Sequence, residues 1–192
     1  MNTEELNALK ERAYNIAVEH GFHEEVKPDA YYLGLAMSKA GEAITAERER
    51  KHADTKGFTD FMGSAKYYFR LAYDGYIKGS VEDKIADTII MLLDFAGLKG
   101  YELRLKTITQ SNIEFLRLGE GLVADLFNLI CGLSEALEDD DLEIYVCGLI
   151  SIFSDCFEEM TGSDKDLWWF VERKTGYNEV RPVWDGKKHQ SE

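Results

Sequence analysis

Ser80 to Gly97, SVEDKIADTIIMLLDFAG, reads as a complete amphipathic helix, and the rest of the chain takes its place around it. Ser80 followed three places later by Asp83 is a capping-box-like start. Ile85, Ile89, Leu92, Leu93 and Ala96 recur at helical spacing, and Gly97 supplies a stop. Asp83 and Asp87 fall one turn apart on one face, with Lys84 beside them. Two carboxylates in that register suit a hard divalent cation, whereas an ammonium among them repels one. The function of the chain turns on that conflict.

Pro28 and Pro182, the only prolines, stand at the edges of a long stretch in which helices meet no such breaker. An all-α domain over 1–192 is expected, with a first helical unit at 1–107, an inserted helix pair at 108–162 and a C-terminal helix with a basic tail at 163–192. The first helix is predicted from Glu4 to Glu19, with Leu6, Leu9, Ala13, Ile16 and Ala17 inward and Gly21 as its stop. A second opens at Pro28-Asp29, turns Tyr32, Leu33, Ala36, Met37, Ala40, Ala43 and Ile44 to one side, and runs into a solvated charge cluster, Glu47 to Lys51. Further helices are predicted at Glu102–Thr107, Ile113–Leu137, Leu142–Met160 and Asp164–Tyr177. The acidic run Glu138 to Asp141 stands where the fifth long helix's dipole favours negative charge. Residues 54–79 lack a sustained period and read as a long loop with one short helix. Its aromatics Phe58, Phe61, Tyr67, Tyr68 and Phe69 either cover the core or belong to a functional loop. The tail from Arg181 is expected to be polar and extended.

At 192 residues and 45% hydrophobic the chain can bury a substantial core. Its 36 acidic and 22 basic residues give a net charge of −14, which disfavours nucleic acid polymers and anionic membranes but leaves a small metal-bound nucleotide open. Cys131, Cys147 and Cys156 lie in apolar helical runs without metal-ligand spacing and read as free thiols. No apolar run approaches the roughly 20 residues of a membrane span, and the N-terminus lacks a signal-peptide core, so a cytoplasmic location is expected. His20, His23, His52 and His189 are scattered and suggest surface or capping roles. Trp168, Trp169 and Phe170 suit core packing, with stacking on a nucleobase as the other use. Gly119 to Leu122, GEGL, has neither the lysine nor the strand of a phosphate loop.

Three stretches together resemble the MazG-like nucleotide pyrophosphohydrolases of the all-α NTP pyrophosphatase superfamily. Asn15 to Phe22, NIAVEHGF, resembles the opening helix of the small single-domain members. LGLAMSKAGEAITAERERKHAD and VEDKIADTIIMLLDFAG are similar to the family's helices bearing Glu-x-x-Glu and Glu-x-x-Asp. Lys174 to Pro182, KTGYNEVRP, with Gly186-Lys187-Lys188 after it, is similar to the C-terminal signature. The resemblance implies an antiparallel helical bundle in which four carboxylates hold Mg²⁺ and a nucleoside triphosphate is cleaved to monophosphate and pyrophosphate. It also implies that Lys174, Tyr177, Asn178, Arg181 and Lys187 contact the nucleotide or its phosphates.

The chain departs from that pattern at the metal. The two motifs fall on Lys39-x-x-Glu42 and Lys84-x-x-Asp87, each with lysine where a leading glutamate is expected. These four side chains sum to zero charge and neutralise one another without metal. One expectation is a catalytically impaired relative that retains nucleotide binding or serves as an interaction protein, with no residue assigned a catalytic role. The alternative is an active Mg²⁺-dependent pyrophosphatase in which the lysines snorkel outward and Glu42, Glu49, Asp83 and Asp87 form a shifted site. The inserted pair also resembles a decayed copy of the central pair: LGLAMSKAGEAI aligns with LFNLICGLSEAL, and VEDKIADTIIMLLD with LEIYVCGLISIFSD. Lys39 then corresponds to Gly132, Glu42 to Glu135, Lys84 to Tyr145 and Asp87 to Gly148. Such a chain would form as an intrachain pseudo-dimer what simpler relatives form as a homodimer.

Overall fold

The structure, a computed structural model, describes residues 1–64, 66–105, 119–137 and 142–180. Among them it has eight α-helices, no strand and one 3₁₀ turn, Lys66–Tyr68. The helices are α1 Thr3–Glu19, α2 Asp29–Arg48, α3 Thr55–Ser64, α4 Phe69–Tyr76, α5 Val81–Lys99, α6 Leu122–Ala136, α7 Leu142–Thr161 and α8 Leu167–Glu179. The all-α bundle is as the sequence predicts.

α5 is the hub: α1, α2, α7 and α8 all pack on it. Fourteen of its nineteen residues are buried, so it is enclosed on nearly every side rather than amphipathic. Its acidic face is therefore inside the protein, and Glu82, Asp83, Asp87 and Asp94 each need a partner there. The Ser80 hydroxyl caps the helix by accepting the Asp83 N–H at 3.1 Å. The helix passes the expected stop at Gly97 and ends at Gly100, which takes the left-handed cap conformation at φ 69°. Gly97 instead marks a close approach, since a Cβ there would come within 2.6 Å of the Tyr14 Cβ. On α2, Ala36, Ala40 and Ala43 are fully buried at i, i+4 and i+7, and these small side chains let α2 lie close against α5.

The described residues of 54–79 form two helices and a 3₁₀ turn, not a long loop with one short helix. Asp54 caps α3 by accepting the Gly57 N–H at 2.7 Å, and its own N–H reaches the Tyr76 carbonyl at 2.9 Å. Such short helices are stabilised by packing: Phe58 meets Phe69 and Trp169 edge-on, and Tyr73 stacks on Tyr177 with centroids 4.6 Å apart. Residues 101–105 are not helical either, because the Asn7 side chain takes both the N–H and the carbonyl of Leu103. Gly119 to Gly121 are also outside any helix, with Asp125 accepting the N–H groups of Gly119 and Glu120. The long helix predicted from Ile113 is thus helical in its described part only from Leu122. α8 starts at Leu167 behind an Asp166 cap, while Asp164 accepts the Thr55 hydroxyl. Trp168 donates to the Ser154 hydroxyl, and Arg173 lies over the Trp169 ring at 3.7 Å, so these aromatics serve packing. All three cysteines are free thiols. No described helix is long and apolar enough to cross a membrane.

Candidate functional site

The two lysines that stand at the expected glutamate positions turn onto the same carboxylate. Lys39 donates to Glu42 Oε1 at 2.6 Å along α2, and Lys84 crosses from α5 to Glu42 Oε2 at 2.6 Å. Both ammonium groups thus turn toward the helix interface and not outward. Burial would raise the Glu42 carboxyl, but hydrogen bonds from Lys39 and Lys84 outweigh it and hold the group below its ordinary 4.5.

On either side of Lys84 in α5, Asp83 and Asp87 share a third ammonium. Phe170, Lys174 and Tyr177 occupy i, i+4 and i+7 of α8 and face inward. The Lys174 Nζ lies 2.8 Å from Asp83 Oδ1 and 2.9 Å from Asp87 Oδ2. Asp83 is the better supplied of the two, because it also accepts the Tyr73 hydroxyl at 2.6 Å and the Gly79 N–H at 2.7 Å. Burial alone would lower the Lys174 ammonium, yet Asp87 and Asp83 together hold it above its ordinary value. One ammonium cannot neutralise two carboxylates, and burial, with Asp83 adding to it against Lys174, pushes Asp87 up. Burial and the adjacent Asp83 carry the Tyr73 phenol well above its ordinary range.

The remaining acids of α5 are paired with histidines. Glu82 accepts the Ala53 N–H at 2.9 Å and faces His52 Nδ1 at 3.0 Å, with Glu47 on the far side of that ring. Asp94 lies 2.7 Å from His23 Nε2, and that ring is flanked by Tyr14 and Tyr32. Burial pushes the Asp94 carboxyl up, against the pull of His23. His23 and His52 therefore do more than the surface roles expected of them, while His20 does cap α1, its Nδ1 lying 2.8 Å from the Ile16 carbonyl. His189 lies outside the described residues.

A cavity of about 420 Å³ opens between α1, α2, α5 and α8, within the usual range for small-molecule sites. His20, Lys39, Asp87, Asp94 and Asn178 bring polar groups to it, and Tyr31 and Tyr32 belong to its aromatic wall. The Oδ1 of Asn178 is buried with no hydrogen-bond partner among the described residues.

Of the sequence candidates, Glu42, Lys39 and Lys84 come together, as do Asp83, Asp87 and Lys174, and Lys39, Asp87 and Asn178 share the cavity. Glu49 does not join them. It is exposed at the end of α2, and its seven-residue separation from Glu42 amounts to about 10 Å of helix rise. Tyr177 is turned away, its hydroxyl donating to Asp74 at 2.7 Å and accepting from Lys78 at 2.9 Å. Arg181 and Lys187 lie outside the described residues. Sequence reading missed Asp94, although Asp83, Asp87 and Asp94 share one helical stripe at i, i+4 and i+11. Nothing in the sequence pointed to Tyr73 or His23. Family models, characterised proteins and solved structures were compared with the chain, and none matches.

Proposed function

We propose that this is a nucleotide-binding protein of the MazG-like pyrophosphohydrolase type in which ammonium groups have replaced the metal, leaving hydrolysis weak or absent. The observation that carries this reading is Glu42, whose two oxygens each receive a lysine at 2.6 Å. Across the whole cluster, Lys39, Lys84 and Lys174 stand against Glu42, Asp83 and Asp87, three positive charges on three negative. Mg²⁺ demands near-octahedral oxygen ligands at about 2.0–2.1 Å and repels ammonium groups, so the residues present do not fit it. Nucleotide binding is supported by the cavity, which Lys39 and Asp87 border directly. The same reading takes α6 and α7 as a degenerate second copy of α2 and α5, supported by α6 packing on α2 and α7 on α5 as well as on α6.

Release of pyrophosphate from a panel of NTPs and dNTPs, with Mg²⁺ or Mn²⁺, tests the first half of the proposal. Metal-stimulated turnover is expected to be absent. Turnover that appears with metal and is lost in Asp87→Ala would overturn the reading in favour of a shifted carboxylate site. Calorimetric titration of the same nucleotides without metal tests the second half, and binding is expected.

A further inference from the structure

The cavity beside the ion cluster is rich in acceptors. Asp87 and Asp94 line it as carboxylates, each with one oxygen already facing a basic partner, Lys174 or His23, and His20 and Asn178 stand beside them. Its one lysine, Lys39, is already committed to Glu42. A phosphate drawn into this space would meet two carboxylates, so the cavity is built for the other end of a ligand. The walls suit a flat ring: Tyr32 is buried at 6% exposure, whereas Phe22 and Tyr31 are 53% and 45% exposed. Ile16, Ile90 and Met91 supply an apolar lining between these aromatics.

Building on the nucleotide reading above, we propose that the cavity takes the base, and that it selects a heteroaromatic ring carrying an exocyclic amino group, of the adenine or cytosine kind. The amino group donates to the carboxylate oxygens of Asp87 and Asp94 that do not face Lys174 and His23, and the ring packs against the aromatic wall. A base with a carbonyl at that position sets acceptor against acceptor and leaves buried groups unsatisfied. The sugar and any phosphates then point out of the cavity, away from Asp94.

Nucleosides test this without phosphate or metal. Titrating the full chain with cytidine against uridine, and with adenosine against inosine, should show the amino member of at least one pair binding about tenfold tighter or more. Asp94→Asn, which sets a donor beside the acceptor, should remove most of that preference, and Met91→Trp, which fills the cavity, should abolish nucleoside binding while the far-ultraviolet circular dichroism stays native. Equal or stronger binding of uridine and inosine overturns the proposal, as does nucleoside binding that survives Met91→Trp. If nucleoside triphosphates bind and no nucleoside does, the base is not held in this cavity, although the protein remains a nucleotide binder. If neither binds, the nucleotide reading falls as well.

Discussion

The Glu42 cluster and the Asp83–Asp87 cluster use the same two chemical groups in opposite proportions. The first sets two ammoniums on one carboxylate and carries an excess of +1. The second sets one ammonium on two carboxylates and carries −1. Their surroundings differ as much. Side-chain exposures are 39%, 30% and 22% for Glu42, Lys39 and Lys84, but 0%, 10% and 6% for Asp83, Asp87 and Lys174. Water can replace what is lost from the first cluster far more readily than from the second. Similar distances therefore stand for very different energies.

The largest effect should come from the buried side. Lys174→Met leaves two carboxylates in the core without their ammonium, and a loss of about 3–5 kcal/mol is expected in urea unfolding. A loss below about 1 kcal/mol would mean that water reaches this cluster as it reaches the other. Next comes the double change Lys39→Glu with Lys84→Glu, which turns the open cluster from +1 to −3. It should cost about 1–2 kcal/mol without metal and recover part of that on adding Mg²⁺, read as a metal-dependent rise in melting temperature. If stability and metal response both stay as in the parent, the two lysines do not control cation binding.

The smallest effect concerns pH, where the clusters should pull in opposite directions. Glu42 is held below its ordinary 4.5, so its contribution is complete above pH 4.5 and is lost as pH falls through the lowered value. Asp87 is held above its ordinary 3.8, so the native state keeps that proton longer and this cluster loses stability as pH rises through the raised value. Glu42→Gln should cost less than about 1 kcal/mol at neutral pH, given its exposure. Below pH 4.5 its unfolding free energy should fall less steeply than the parent's. An unchanged acid limb would assign that loss of stability to other carboxylates.

Much of this was legible in the sequence wherever the information was local. The Ser80 cap, the alanine stripe of α2 and the lysines at Lys39 and Lys84 follow from helical spacing within a few turns. α3 and α4 were hidden because their stability comes from distant aromatics, Trp169 and Tyr177, and not from a period of their own. The burial of α5's acidic face was hidden for the same reason. Asp83 and Asp87 look like a solvent-facing pair until Lys174 is known to cover them from α8. The resemblance pointed to Lys174 and Asn178 as nucleotide contacts, but it could not show that Lys174 is spent on the core.

Lys174 also sets an order on the making of the protein. It follows Asp83 by 91 residues, so a ribosome delivers the acids of α5 long before the ammonium that neutralises them. Until α8 emerges, burying α5 would mean burying two carboxylates without a counter-charge. The hub of the bundle is thus held open by its own chemistry until α8 is made, and the closing of the fold waits for the last described helix.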